Sequence, residues 1–460
     1  MKSYDAIIVG AGQAGPSMAR ALAKQGKRIA IAEGHTLGGS CVNYGCTPSK
    51  TLIASAHAAR IAKDGARYGV ITGAISIDFA TVMARVHERV DASRDGLEKS
   101  LAKLDNIDLY RAYAQFEESK DGVHRMRVGD DVIESKLVYL NVGARATVPK
   151  IDGLDKVPYL HNENVFDLTA LPERLIALGG GYISLELGQA FSHLGSEVTI
   201  IESHPNIIGR EDDDIIEAVT ATLKKSGLTI RTGIKIVHVD PADDGVMVTL
   251  EAKDGARSTI SGSHLLVAIG RMPNSDKLNL GAVGVKTDDK GYITVDDHLK
   301  TNIDGIYALG DVNGRGAFTH TSYQDYEIAL DNLNGGTRSL KQRIPTYAMF
   351  IDPPLGRVGM SEKQARESGK NILQATYPMK YVSRAKEQGE TDGLIKLVVD
   401  ADTEQFLGAT VYGFQGDDVI QIISYFMHTG ASYRVMQNAL PIHPTIGEFL
   451  PTILAELKPL

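Results

Sequence analysis

The sequence predicts an α/β protein made of two doubly wound, parallel-sheet units followed by a C-terminal α+β domain. Three observations predict it. Ala6-Ile7-Ile8-Val9 is a short, wholly apolar run, the pattern of a strand buried on both faces. It feeds a glycine-rich turn and a helix, and the same order returns about 170 residues later at Leu175-Ile176-Ala177-Leu178. From about Thr346 the texture changes to alternating strands, such as Leu394-Ile395-Lys396-Leu397-Val398-Val399, and late helices. The length of 460 residues agrees, since a domain averages roughly 150 residues and one core does not hold three times that.

Composition narrows the functional classes. Apolar residues at 43% and charged residues at 23% are the balance of a globular chain. Forty-nine basic and fifty-seven acidic side chains give a net charge of −8 with no basic run, which argues against a nucleic-acid partner. Two cysteines exclude a disulfide-stapled scaffold. Met1-Lys2-Ser3-Tyr4-Asp5 leads directly into the first strand, without an apolar leader segment, and no run of about 18 apolar residues occurs. A cytoplasmic location without membrane contact is therefore expected.

The first unit holds Gly10-Ala11-Gly12-Gln13-Ala14-Gly15 between its strand and a helix whose apolar face is Met18, Ala19, Ala21, Leu22 and Ala23. A second strand, Arg28-Ile29-Ala30-Ile31-Ala32, ends on Glu33. Each glycine has a task. Gly10 permits the tight turn, Gly12 lets the backbone approach a pyrophosphate, and Gly15 lets the helix pack closely on the strand. The helix N-terminus offers free N–H groups to phosphate, and Glu33 stands where a carboxylate accepts from ribose hydroxyls. This is a dinucleotide fingerprint in its proper βαβ context.

A helix-rich stretch (residues 51–103) and short strands ending at Leu137-Val138-Tyr139-Leu140-Asn141-Val142-Gly143 come next. Pro149, Gly153, Pro158 and Pro172 punctuate the crossing into the second unit. There Gly179-Gly180-Gly181-Tyr182-Ile183-Ser184 repeats the fingerprint with Ser184 in the third glycine's place. The strand Glu197-Val198-Thr199-Ile200-Ile201 ends on Glu202, whose carboxylate repels a 2′-phosphate and favours NADH over NADPH, while Arg210 nearby pulls the other way. The unit closes with His264-Leu265-Leu266-Val267-Ala268-Ile269-Gly270-Arg271, and Gly305-Ile306-Tyr307-Ala308-Leu309-Gly310-Asp311 follows as a further buried strand with an acid at its end.

Both cysteines lie in Gly39-Ser40-Cys41-Val42-Asn43-Tyr44-Gly45-Cys46-Thr47-Pro48-Ser49-Lys50. No second Cys or His pair completes a zinc site, and the alternative of two inert buried thiols does not explain the flanking Gly39 and Gly45. Pro48 suits the first turn of a helix, so Cys46 is expected beside a helix N-terminus, where the dipole favours thiolate. Such a dithiol in a chain with two nucleotide sites reads as a redox couple.

The ordered motifs resemble those of the flavin- and pyridine-nucleotide-linked disulfide reductases, the group of dihydrolipoamide dehydrogenase, glutathione reductase and mercuric reductase. The likeness runs through the first fingerprint, the Cys-x4-Cys-x-Pro-Ser-Lys run, Asn141-Val142-Gly143-Ala144-Arg145 and the second fingerprint. It continues through Gly270-Arg271-Met272-Pro273-Asn274, Ala308-Leu309-Gly310-Asp311 and His443-Pro444-Thr445-Ile446-Gly447-Glu448. The resemblance implies two doubly wound dinucleotide-binding domains plus an α+β dimerisation domain. FAD would occupy residues 1–150 and 276–345, NAD(P)H residues 151–275, and the dimerisation domain residues 346–460.

On the same resemblance, FAD is held by Gly10, Gly12, Gly15, Glu33, Gly39, Ser40, Lys50, Gly143, Asp311 and Thr319. The nicotinamide cofactor is held by Gly179, Gly181, Tyr182, Ser184, Glu202 and Gly270. Cys41 exchanges with substrate, Cys46 lies against the flavin, Lys50 pairs with Glu186, and Tyr182 covers the flavin where nicotinamide enters. Glu448 orients His443 as the acid–base, which reaches the active site of a second identical subunit. The implied reaction passes electrons from NAD(P)H through FAD and the Cys41–Cys46 disulfide to an acceptor.

The chain departs from its relatives at the acceptor end. Lipoamide dehydrogenases have a second histidine where this sequence has Pro441, and mercuric reductases end in a cysteine pair where this chain has no Cys beyond Cys46. Ala317-Phe318-Thr319-His320-Thr321-Ser322-Tyr323, Pro345-Thr346-Tyr347 and Asp352-Pro353-Pro354 look most like the mercuric-reductase-like branch without those cysteines. A small disulfide is the expected acceptor; the alternatives are Hg²⁺ or Cu²⁺ bound by the thiolates, and dihydrolipoamide. A flavin-carrying protein without turnover has no use for Lys50, Glu186 or His443, and an NADH oxidase acting directly on oxygen needs neither a second cysteine nor the His443–Glu448 pair. No metal cofactor is expected.

Overall fold

The computed structural model describes all 460 residues, Met1–Leu460. A five-stranded parallel sheet forms the first unit, in the order Ile306–Ala308, Val138–Leu140, Ala6–Val9, Ile29–Ala32 and Ile107–Tyr110. Ala6–Val9 sits in the middle because all four of its side chains are apolar and both faces of the sheet are covered. Helix Ala14–Lys24 packs its Met18, Ala19 and Leu22 in one cluster with Ile328 and Ala329 of helix Thr319–Leu333. The strand and helix after residue 305 thus complete a sheet begun at residue 6. A four-stranded sheet, Lys2–Ser3, Asp131–Ser135, Val123–Val128 and Ala114–Lys120, packs against this unit, its Phe116, Met126 and Ile133 sharing a core with Ile7 and Val9.

The chain leaves and re-enters that unit through an antiparallel pair, Ala144–Ala146 with Arg271–Pro273. Between them lies a second parallel sheet, ordered Thr229–Thr232, Glu197–Glu202, Arg174–Leu178 and His264–Val267. Helices Tyr182–Leu194 and Asp213–Lys225 pack with it, and a three-stranded antiparallel meander spans Ile234–Ala242, Gly245–Ala252 and Arg257–Gly262.

The third domain is an antiparallel six-stranded sheet: Thr346–Met349, Leu355–Gly359, Phe406–Tyr412, Leu394–Asp400, Ile372–Pro378 and Lys458–Pro459. Helices Gly416–His428, Tyr433–Gln437 and Leu450–Ala455 share its core. Lys396, in the strand Leu394–Asp400, is turned away from solvent. Its side chain is 2% exposed and its ammonium sits 2.7 Å from Asp214 and 2.8 Å from Glu362. Asp214 comes from the second unit, so the lysine is buried in a seam between domains. Arg357 and Glu211, 2.5 Å apart and both buried, cross the same seam. No helix is long and apolar enough to cross a membrane.

The two glycine turns differ in tolerance. A Cβ at Gly15 would stand 2.1 Å from the carbonyl oxygen of Gly10, a backbone clash that no rotamer relieves. In the second unit the corresponding Ser184 is fully buried and its hydroxyl lacks a partner, so that turn is wide enough for a side chain. Gly15→Ala is therefore expected to open the first turn and cut flavin content of the purified protein below about one tenth of wild type, read as the 450 nm to protein ratio. Full flavin occupancy would contradict it.

Candidate functional site

The dithiol is built from a broken helix. Gly39–Tyr44 forms a short helix entered through Gly38 and Gly39, which have φ of 98° and 61°. Gly45 breaks it, and a new 18-residue helix, Cys46–Lys63, begins at the second cysteine, with Pro48 in its first turn. Both thiols are free; Cys41 is half-buried and Cys46 exposed. The Cys46 sulfur lies 3.1 Å from Thr319 Oγ1, at the start of helix Thr319–Leu333.

The two thiols are unequal. A hydrogen bond from Cys41 pulls the Cys46 pKa down to about 6; burial opposes this, and Thr319, the Lys50 charge and the helix's own first N–H add to the lowering. The same bond pushes the Cys41 thiol well above the usual range, reinforced by burial and by the charge on Cys46. The sequence suggested the helix end as the cause; the neighbouring thiol is the larger one. The pair thus holds one proton between two sulfurs over most of the neutral range. Alkylation of the reduced enzyme by iodoacetamide is expected to rise between about pH 5 and 7, because the group with the depressed pKa becomes thiolate as pH climbs through about 6. A midpoint above 8, that of an ordinary thiol, would contradict the assignment.

Lys50 lies one turn along the same helix. Its ammonium is 2.6 Å from Glu186 Oε2 and 4.6 Å from the centre of the Phe350 ring. Glu186 is 4% exposed, and its other oxygen accepts the Phe350 N–H at 2.7 Å. Phe350 carried no sequence signal, because it acts through a backbone N–H from a different domain. Tyr182 opens helix Tyr182–Leu194 and its ring is partly exposed. Asp311 follows strand Ile306–Ala308, and Arg271 reaches it at 2.7 Å while also donating to Ser40 Oγ at 3.3 Å and the Ala144 carbonyl at 2.6 Å. Burial raises the Asp311 carboxyl, and Arg271 partly offsets that. Arg271 stands out in the sequence only as part of a motif, yet it ties together three segments that are far apart in the chain.

Both glycine loops present bare backbone in front of a carboxylate. Glu33 accepts the N–H groups of Ala11 and His35, each at 2.8 Å. Glu202 repeats this with Gly180 at 2.6 Å and His204 at 2.7 Å. Burial opposes ionisation of Glu202, but the N–H groups of His204 and Gly180 and the His204 ring hold its pKa below the usual carboxylate range. Asn141, buried, accepts the Gly15 N–H at 2.9 Å and donates to the Leu309 carbonyl at 2.9 Å, which binds the first loop to the far end of the sheet. A Cβ on Gly39 would come within 2.8 Å of the Gly12 Cα, whereas one on Gly181 or Gly143 would meet open space. Gly143 and Gly270 adjoin the antiparallel pair that joins the units, with φ of 67° and 145°. Side-chain-free loops backed by carboxylates, with a buried acid at Asp311, fit FAD on the first unit and a nicotinamide dinucleotide on the second.

His443 stands apart. Its Nδ1 is 2.9 Å from Glu448 Oε2, which leaves Nε2 free, and the imidazole is 74% exposed. No hydrogen bond links it to the dithiol of its own chain. Leu440, Ile442, Tyr425, Ile422 and Val435, from the same domain, are exposed apolar residues. No group of three or more His, Cys, Asp or Glu side chains is arranged to hold a metal ion.

Comparison with known proteins decides the family. The model of the pyridine nucleotide-disulphide oxidoreductases matches residues 4–325, and that of their dimerisation domain matches residues 345–453. The chain belongs to the pyridine nucleotide-disulphide oxidoreductases. As a member of that family it is a flavoprotein enzyme acting on a sulfur group, with a pyridine nucleotide as the second cofactor and a domain that pairs two copies. This oxidoreductase is 34% identical over 465 residues, the full length of both chains, to the probable pyridine nucleotide-disulfide oxidoreductase RclA of Escherichia coli K12. It is 32% identical over 451 residues to a mercuric reductase of Lysinibacillus sphaericus, covering 97% of this chain and 81% of the relative. A Cu(II) complex of the HOCl-induced flavoprotein disulfide reductase RclA from Escherichia coli superimposes with a TM-score of 0.88 at 33% identity, over 98% of this chain and 99% of that one.

Proposed function

We propose that this oxidoreductase is a cytoplasmic, NADH-preferring reductase of a low-molecular-weight disulfide, working as a homodimer. The observation that carries the reading is the unequal dithiol, with Cys46 held as thiolate and Cys41 as thiol, set between two dinucleotide units. Bound FAD supplies the two-electron link between pyridine nucleotide and dithiol, held by Gly10, Gly12, Gly15, Glu33, Gly39, Ser40, Lys50, Gly143, Asp311 and Thr319. Residues 151–275 hold the nucleotide through Gly179, Gly181, Tyr182, Ser184, Glu202 and Gly270.

The chain's own residues run the exchange. Cys41 gives its proton to Nε2 of the partner's imidazole and attacks one sulfur of the substrate R–S–S–R′. The substrate bond breaks, R′–S⁻ leaves, and His443 returns the proton to it. Cys46 thiolate then attacks the Cys41 sulfur, R–S⁻ leaves and takes a proton from water, and the Cys41–Cys46 disulfide remains. Glu448 fixes the imidazole tautomer throughout. Lys50, held by its ion pair with Glu186, keeps a positive charge near Cys46.

Glu202 supports NADH, since a 2′-phosphate would meet its carboxylate. kcat/KM for NADH is expected to exceed that for NADPH by at least about tenfold, a difference of 1.4 kcal/mol; equal values would contradict it. A second reading, reduction of Cu²⁺ or Hg²⁺ at the thiolates, is favoured by the Cu(II) complex of the RclA reductase. The test is kcat/KM for lipoamide, glutathione disulfide, other small disulfides, Hg²⁺ and Cu²⁺ on one preparation. A metal ion exceeding every disulfide by ~100-fold, about 2.7 kcal/mol of transition-state preference, would install the second reading.

A further inference from the structure

The wall of the site on the Tyr182 side is a stack of aromatic rings that the roles above leave unused. Phe318 lies between His320, with centroids 5.4 Å apart and planes 9° apart, and Tyr347, at 5.7 Å and 3°. Tyr182 meets the same Phe318 ring at 6.0 Å and 39°. Offset stacks at these spacings are attractive and define ring orientation.

The outer rings are fixed across domain boundaries. The Tyr347 hydroxyl donates to the buried Glu211 carboxylate, which also pairs with buried Arg357. Burial and the Glu211 charge raise the Tyr347 phenol, so it remains a donor. His320 Nε2 lies 2.7 Å from the Thr346 carbonyl, one residue from Tyr347. Phe318 is held at its backbone as well, since its N–H donates to Thr321 Oγ1 at 3.1 Å and its carbonyl accepts from the same hydroxyl at 2.7 Å. The next residue, Thr319, bonds the Cys46 sulfur. Glu211 also belongs to the segment that leaves Glu202: its N–H donates to the Ile208 carbonyl, and the Ile208 N–H donates to the Gly180 carbonyl, both at 2.9 Å.

We propose that Tyr347 is a positioning residue for hydride delivery: through the stack of its ring on Phe318 it fixes the wall from which Tyr182 presses the nicotinamide against the flavin. The inference rests on the proposed reduction by NAD(P)H. Without the Tyr347 ring, one face of Phe318 is unsupported and the Phe318 and Tyr182 rings gain freedom. A displacement of about 1 Å at a reacting pair costs on the order of 10²-fold in rate.

The test is stopped-flow bleaching of the flavin in the holoenzyme, with wild type, Tyr347→Leu and Tyr347→Phe at saturating NADH. It is run beside calorimetric titration with NAD⁺ and reduction from the dithiol side with dithiothreitol. Tyr347→Leu is expected to lower the limiting rate of NADH-driven reduction at least about tenfold. The NAD⁺ Kd and the dithiothreitol-driven rate are expected to stay within about threefold, and Tyr347→Phe to restore most of the limiting rate because the stack persists. If Tyr347→Leu does not retain flavin, Phe318→Leu carries the same expectation. A limiting rate equal to wild type overturns the proposal, and so does a parallel loss in the dithiothreitol reaction or a Phe variant as slow as Leu. A wild-type holoenzyme bleached by neither NADH nor NADPH would sink the proposed function instead.

Discussion

Cys41→Ser is expected to abolish disulfide reduction while leaving the protein able to take electrons from the nucleotide. A serine hydroxyl in place of Cys41 cannot attack a disulfide sulfur at neutral pH, and losses on the order of 10⁴-fold to 10⁶-fold follow removal of a nucleophile. The remaining Cys46 keeps Thr319 at 3.1 Å and the Lys50 charge, so it retains part of its thiolate character. It loses the Cys41 thiol, however, which is the largest cause of its low pKa. Titration of the thiolate in the variant is therefore expected to shift upward from about 6. Turnover of a small disulfide and flavin bleaching by NADH are measured on the same sample. Retained turnover would reverse the roles of the two cysteines, and loss of bleaching would show that Cys41 is needed before the exchange step.

The second large effect is expected at His443. Its imidazole is bonded to Glu448 but faces solvent in the isolated chain, away from any contact with Cys41. Loss of a general acid–base costs about 10²-fold to 10⁴-fold, and His443→Gln is expected to fall in that range with flavin content intact. The decisive measurement uses mixed dimers of Cys41→Ser and His443→Gln. If each site combines one chain's dithiol with the other chain's His443, the heterodimer has one intact site of two, while both parent homodimers are inactive. Activity is then expected to appear on co-expression. Its absence, with heterodimers demonstrated by differential tagging, would place His443 in the site of its own chain.

What the sequence disclosed was whatever local residue order encodes. The two glycine loops and their terminal glutamates were legible because turn, helix and carboxylate lie within about two dozen residues, and the N–H bonds to Glu33 and Glu202 bear out that closeness. The helix start beside Cys46 was legible from Pro48, whereas the short helix Gly39–Tyr44 that Gly45 separates from it was not. Contacts between units were not. Nothing in the strand run 394–399 shows that Lys396 is buried, because its charge partners Asp214 and Glu362 come from distant parts of the chain and supply what water would have supplied. Phe350 and Tyr347 lie more than 130 residues from Glu186 and Glu211, the groups they bond, and nothing in their immediate neighbours announces it. The Cys46 thiolate was anticipated, but its main cause, the Cys41 thiol, depends on how tightly the two helices meet.

The charged seam between the second unit and the third domain bears on how such proteins can be recombined. Two parallel-sheet units built on the same plan invite the view that a nucleotide domain is a cassette, free to be exchanged for that of a relative with another coenzyme. Here Glu211, Asp212 and Asp214 travel with the cassette, whereas Arg357 and Lys396 stay with the host. A graft that omits the acids strands Arg357 in the interior, at about 3–5 kcal/mol for the broken pair, and leaves Lys396 with Glu362 alone, against the roughly 5–15 kcal/mol that holds a domain folded. On the proposed reading of Glu202 as the residue that selects the coenzyme, a change of coenzyme is expected to be tolerated better as a point substitution there than as an exchange of the whole unit, because Glu202 and the seam acids occupy one short stretch of chain.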